Sequence, residues 1–219
     1  IENENEEVSK NDCELNAAKR LLKRLKDDYP RLPICIQGDA LYAAEPVMKL
    51  CKEYKWKYIF TQKASRQKLL AEGYEFIREG GEEQTVGNIG KERGTGEYIN
   101  HIEDIAGKTE TANIYHYWYE KKVEGDIVEI QEFQWITNIE LTKRNLEEMI
   151  EAGRGRWMIE NEGFNQQKNG LYDIEHLNSK NSRAMKNHYL LTQIADLVMQ
   201  LYLAWNPLIR EIGQSIKNT

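Results

Sequence analysis

Cysteine is scarce and scattered: Cys13, Cys35 and Cys51 are odd in number, far apart, and form no Cys-x-x-Cys pair. That argues against a disulfide framework and against a cysteine zinc site, and points to reduced thiols in a cytosol. The histidines, His101, His116, His176 and His188, show no ligand spacing either. No apolar run reaches membrane-spanning length, and no signal peptide opens the chain, so no membrane role is expected. Positive charge is not in excess. A net charge of −6 argues against coating nucleic acid by bulk charge, but permits a local basic groove that holds it. A starting Met is also missing: the first residue is Ile1, which reads as a fragment or a processed start.

What is present suits a soluble globular chain. At 219 residues, 30% of them charged, it has room for one domain with a proper core, or one domain with a large insertion. A helix is expected over 11–28, with Ser9 and Asp12 as its capping pair. Leu32 to Ile36 reads as a buried strand that stops before Asp39, and a second helix follows from Glu45-Pro46. A carboxylate just past a buried strand is where open α/β sheets place their chemistry, although for Asp39 taken alone a turn or cap role is the favoured explanation. Lys57 to Thr61 reads as a second buried strand. From Ser65 to about Ile139 the texture turns β-rich, with one helix at 69–79 and strands expected at 97–105, 111–121 and 127–139. Gly94-Thr95-Gly96 lacks the third glycine and the preceding strand of a dinucleotide loop. Thr142 can cap a helix that breaks at Gly153 and Gly155, and 181–205 has the pattern of a long amphipathic helix.

The stretch from Arg156 to Lys168 carries the chemistry. Wound as an α-helix, it brings Arg156, Trp157, Glu160, Phe164 and Lys168 into one sector and turns Glu162 away. An exposed ion-pair face accounts for the charges, but not for the interleaved aromatics. A carboxylate that holds a divalent metal beside phosphates accounts for both.

Three segments together resemble the DDE transposases of bacterial insertion sequences, in the subgroup with a Tyr-x2-Arg-x3-Glu-x6-Lys signature. They are Ile34 to Tyr42 around Asp39, Trp135-Ile136-Thr137-Asn138, and Arg156 to Glu162. The resemblance implies an α/β fold with an RNase H-like core, interrupted by a β-rich insertion, and with the N-terminal core strands absent from this chain. On that reading 1–64 and 140–205 are core, 65–139 is the insertion and 206–219 a tail. Asp39 is then the second acidic residue of the triad and Glu160 the third, both of them ligands to Mg²⁺ or Mn²⁺. Arg156 and Lys168 would hold the backbone of a transposon end, and Trp157 and Trp135 would either stack on a displaced base or pack the core.

The implied partners are double-stranded DNA, at transposon ends and target, and a second copy of the chain, in a bacterial cytoplasm. The chemistry is metal-dependent hydrolysis and strand transfer. Three features depart from the signature. Gly153 stands where it has Tyr, and Lys168 comes one residue late, which leaves Glu162 as an alternative to Glu160. The first Asp belongs upstream of Ile1, so this chain alone is expected to be inactive. A catalytically dead DNA-binding remnant and a different RNase H-like nuclease are the competing functions.

Overall fold

The strands, in chain order, are β1 (Cys35–Gly38), β2 (Lys57–Thr61), β3 (Gln84–Ile89), β4 (Gly94–Ile102), β5 (Ala112–Lys122) and β6 (Val128–Thr137). They form one open sheet in the order β1-β2-β6-β5-β4-β3, in which β1 and β2 run parallel and every other neighbouring pair is antiparallel. The helices are α1 (Glu14–Asp28), α2 (Glu45–Glu53), α3 (Lys68–Glu79), α4 (Leu146–Met158), α5 (Asn165–Asn169) and α6 (Ser182–Trp205). This computed structural model describes residues 13–102, 111–122, 128–170, 172–174, 176 and 179–206, apart from the side chains of Glu162 and Gln166. Two compact units divide it, one ending at Arg156 and the other starting at Trp157.

Side chains alternate across a strand, and both faces of this sheet are apolar. Tyr58, Phe60, Ile99, Ile114 and Ile136 meet Leu22 of α1, Val47, Met48 and Cys51 of α2, and Leu70 and Tyr74 of α3. The opposite face, with Ile59, Tyr98, Tyr115, Tyr117 and Trp135, meets Leu146, Met149 and Ile150 of α4. The architecture is therefore mixed α/β with helices on both sides, as expected of an RNase H-like domain. Strands β3 to β6, from the β-rich stretch, extend the same sheet from the side of β2.

Several expectations need correction. β1 begins at Cys35 rather than Leu32, because Pro33 has no N–H for the ladder, and it runs up to Gly38, one residue before Asp39. It is also an edge strand among the described residues, with only Gly38 buried. β3 was not expected; its residues are mostly exposed and polar, so no alternation marks it. β4 starts three residues early, at Gly94, where a Cβ would lie 2.5 Å from the Trp118 carbonyl and the Tyr117 ring. α4 does not break at Gly153 or Gly155. The stretch after it is helical as expected, but Ile159–Phe164 is π-helix rather than α.

Other expectations hold or lie outside the described residues. β2 and α2 occupy the expected positions, and Asn181 caps α6 by accepting the Ala184 N–H at 3.1 Å. Against the expected amphipathic pattern, α6 carries apolar residues nearly all round, since Met199 and Leu203 fall opposite the Leu190–Ile194–Leu201 side. Ser9, Asp12 and the Gly125-Asp126 turn lie outside the described residues.

Candidate catalytic residues

Asp39 follows the last residue of β1, at the carboxyl end of the parallel β1–β2 pair. Its Oδ1 accepts the Leu41 N–H at 2.8 Å, an Asx turn that leaves the carboxylate exposed. Gly38 permits the fold-back that follows, because a Cβ there would lie 2.8 Å from the Tyr42 ring. The Tyr42 hydroxyl donates to Glu14 Oε1 of α1 at 2.5 Å. Burial, then the hydrogen bond and charge of Glu14, then the charge of Asp39, push that phenol up to about 12. From the other side Gln67 braces the turn, donating to the Ala40 carbonyl at 2.9 Å and accepting the Lys63 N–H at 3.0 Å. The Asp39 carboxylate is thus presented on a turn tied to α1 and to the start of α3.

The segment leading into α4 is tied just as closely. Asn138 accepts the Tyr58 N–H and donates to the Trp56 carbonyl, both at 3.0 Å, while Thr137 Oγ1 donates to the Tyr58 carbonyl at 2.6 Å. Asn100 grips the Leu141 backbone through both its N–H and its carbonyl. Thr142 and Asn145 then cap one another reciprocally, at 2.8 and 3.2 Å, and α4 begins.

Along α4 the docking is aromatic. Trp135 is 3% exposed, with its ring stacked near Tyr115 at 5.0 Å and Phe133 at 5.9 Å. Of the two roles offered for it, packing is the one its surroundings describe. Gly153 lies over this indole. Arg154, next along the helix, forks onto Glu92 at 2.9 and 3.1 Å, with its guanidinium 5.6–5.8 Å from the Tyr117, Tyr119 and Phe133 ring centres. The Arg154 hydrogen bond holds the Glu92 carboxyl below its ordinary range. No reading of the sequence singled out Arg154 or Glu92. Sixty-two positions separate them, and no linear spacing links them; an Arg set between two glycines was the only local signal.

Arg156 ends the first unit half-buried, and Trp157 opens the second, 64% exposed. Glu160, within the π turn, and Lys168, in α5, are exposed. The Asn165 N–H reaches the Glu160 carbonyl, a five-residue step that defines the wider helix. In an uninterrupted α-helix, a Lys one residue late would sit about 100° away from its expected phase to Glu160. A π turn absorbs one extra residue, so Lys168 returns to the phase that the six-residue spacing has in an α-helix. Gln167, beside it, is buried against α6 and donates to Asp196 at 2.8 Å and Gln193 at 3.2 Å.

Asp39 belongs to the first unit, and Glu160 with Lys168 to the second. Among the described residues no three or more His, Cys, Asp or Glu side chains gather as a metal site. The Glu162 side chain, the alternative to Glu160, lies outside the described residues. No curated protein matches the chain. The transposase DDE domain family matches residues 7–195, a span that takes in the Asp39 turn, the whole sheet, the π turn and Lys168. The chain therefore belongs to the transposase DDE domain family.

Proposed function

We propose that this domain performs DNA transposition by metal-dependent phosphodiester hydrolysis and strand transfer, with Asp39 and Glu160 as two of its acidic ligands. The observation that carries the reading is the Asp39 carboxylate, exposed on a braced turn at the carboxyl end of two parallel strands. The donor chemistry fits the group it would hold. Carboxylate oxygens, completed by water and phosphate oxygens, are what Mg²⁺ or Mn²⁺ takes. Such ions would activate the attacking oxygen and stabilise the leaving one, and a full ligand set needs a third carboxylate beyond these two.

The chain's own residues do the positioning. Arg156 and Lys168 hold the phosphate backbone of the transposon end, contacts that position rather than specify. Trp157, exposed beside them, stacks on a displaced base. Trp135 supports α4 from beneath. The partners are transposon-end and target duplexes, and the active complex is a homodimer working in a bacterial cytoplasm.

The test is a cleavage assay on end duplex with Mg²⁺ or Mn²⁺, using the product of the complete reading frame. Asp39→Asn and Glu160→Gln should each abolish cleavage while leaving DNA binding in place. Cleavage that survives either substitution overturns the assignment.

A further inference from the structure

A crevice of about 460 Å³ opens directly beyond Asp39. One wall is the turn after β1, with Ala40, Ala43 and Ala44; the other is the loop entering α3, with Arg66 and Lys68. This is the space outside the carboxyl ends of β1 and β2, where open α/β sheets bind their ligands. Gln67 ties the two walls together through the Ala40 carbonyl. The walls cannot move apart without breaking that bond, so the crevice is preformed.

Its charge is the unusual part. Gln62 to Lys68 reads Gln-Lys-Ala-Ser-Arg-Gln-Lys, with three cations and no acid, in a chain of net charge −6. Lys63, Arg66 and Lys68 are all exposed, and none of them is ion-paired among the described residues. Glu45, the one carboxylate among the described residues of the wall, is engaged by Lys49 at 2.6 Å. Small alanines opposite a guanidinium leave room for a backbone to pass. A guanidinium presents a planar fork that matches phosphate oxygens bidentately. Among the described residues no aromatic side chain lines the crevice, so its recognition is of phosphate rather than of bases.

We propose that this crevice is a phosphate-binding channel for a DNA strand running past Asp39, with Arg66 and Lys68 as its contacts. The proposal rests on the reading of Asp39 as catalytic, and adds a second contact surface on the first unit, separate from Arg156, Trp157 and Lys168.

The test is the salt dependence of binding between a short fluorescent mixed-sequence duplex and the 219-residue chain, measured in EDTA so that metal binding plays no part. Each lost phosphate contact should lower the slope of log affinity against log salt by about one. Arg66→Gln with Lys68→Gln should therefore weaken binding and flatten the slope by about two. Arg66→Lys should keep most of the slope and lose affinity. The control is Lys121→Gln with Lys122→Gln, an equal charge change at the far end of β5, which should leave the slope unchanged. If the wild-type chain binds and the Arg66/Lys68 pair behaves as the control does, the channel is refuted while the catalytic reading stands. If the wild-type chain binds no DNA in any salt, channel and DNA-directed function fall together.

Discussion

Gly153 and Trp135 are in backbone-to-ring contact: a Cβ on Gly153 would lie 2.6 Å from Cε2 of the indole. Where the signature it resembles in sequence has Tyr, the helix here comes down onto a buried Trp. Two residues later, Gly155 has nothing within 4 Å of its would-be Cβ. The two glycines share a helix and differ only in what they face.

That difference makes a paired prediction. Glycine within a helix costs about 0.5–1 kcal/mol relative to alanine. Gly155→Ala should recover that amount and raise the urea midpoint. Gly153→Ala recovers the same propensity but forces the Trp135 ring or the helix to shift, at about 1–3 kcal/mol. Its net effect should be destabilising. Urea melts of the two variants decide it, and equal midpoints would mean that α4 does not rest on Trp135.

The Arg154–Glu92 fork holds the same helix from the side. Both side chains are about one-third exposed, so solvent screens the pair, and a double-mutant cycle with Arg154→Met and Glu92→Gln should give a coupling of about 1 kcal/mol. The pH dependence follows from the sign of the shift. The Glu92 carboxyl is lowered from 4.5 by the Arg154 hydrogen bond, so its contribution is fully present above that value. It is lost as the pH falls through the lowered one. Acid unfolding of Arg154→Met should lack this component, whereas the wild type loses stability through it below about pH 4.5. Identical acid limbs in the two proteins would show that the fork contributes nothing.

How much of this was legible depended on how local the cause was. β2, the Thr142 cap and the start of α6 near Asn181 each rest on neighbours in sequence, and were readable there. The position of Asp39 just past a strand was readable too, since strand, small residues and helix follow one another around it. β1 was misplaced by three residues because an apolar run reads as a strand even where proline denies it a ladder. β3 was invisible because an exposed edge strand carries no alternation. The π turn did leave a trace, the single residue by which Lys168 overshoots. The Arg154–Glu92 fork left none, because two residues so far apart meet only once the sheet has formed.

Trp157 is the residue on which packing and recognition part most cleanly. At 64% exposed it covers little, so the loss of about 3–5 kcal/mol that attends Trp→Ala in a core does not apply. Stacking on a base would instead be worth about 1–3 kcal/mol in affinity. Trp157→Ala should therefore leave the melting temperature nearly unchanged and, on the proposed function, weaken binding to end DNA. Trp157→Phe keeps a ring to stack on and should restore part of that affinity. A large fall in melting temperature with no separate loss of binding would reduce Trp157 to packing. Unchanged values of both would remove Trp157 from the proposed DNA contacts.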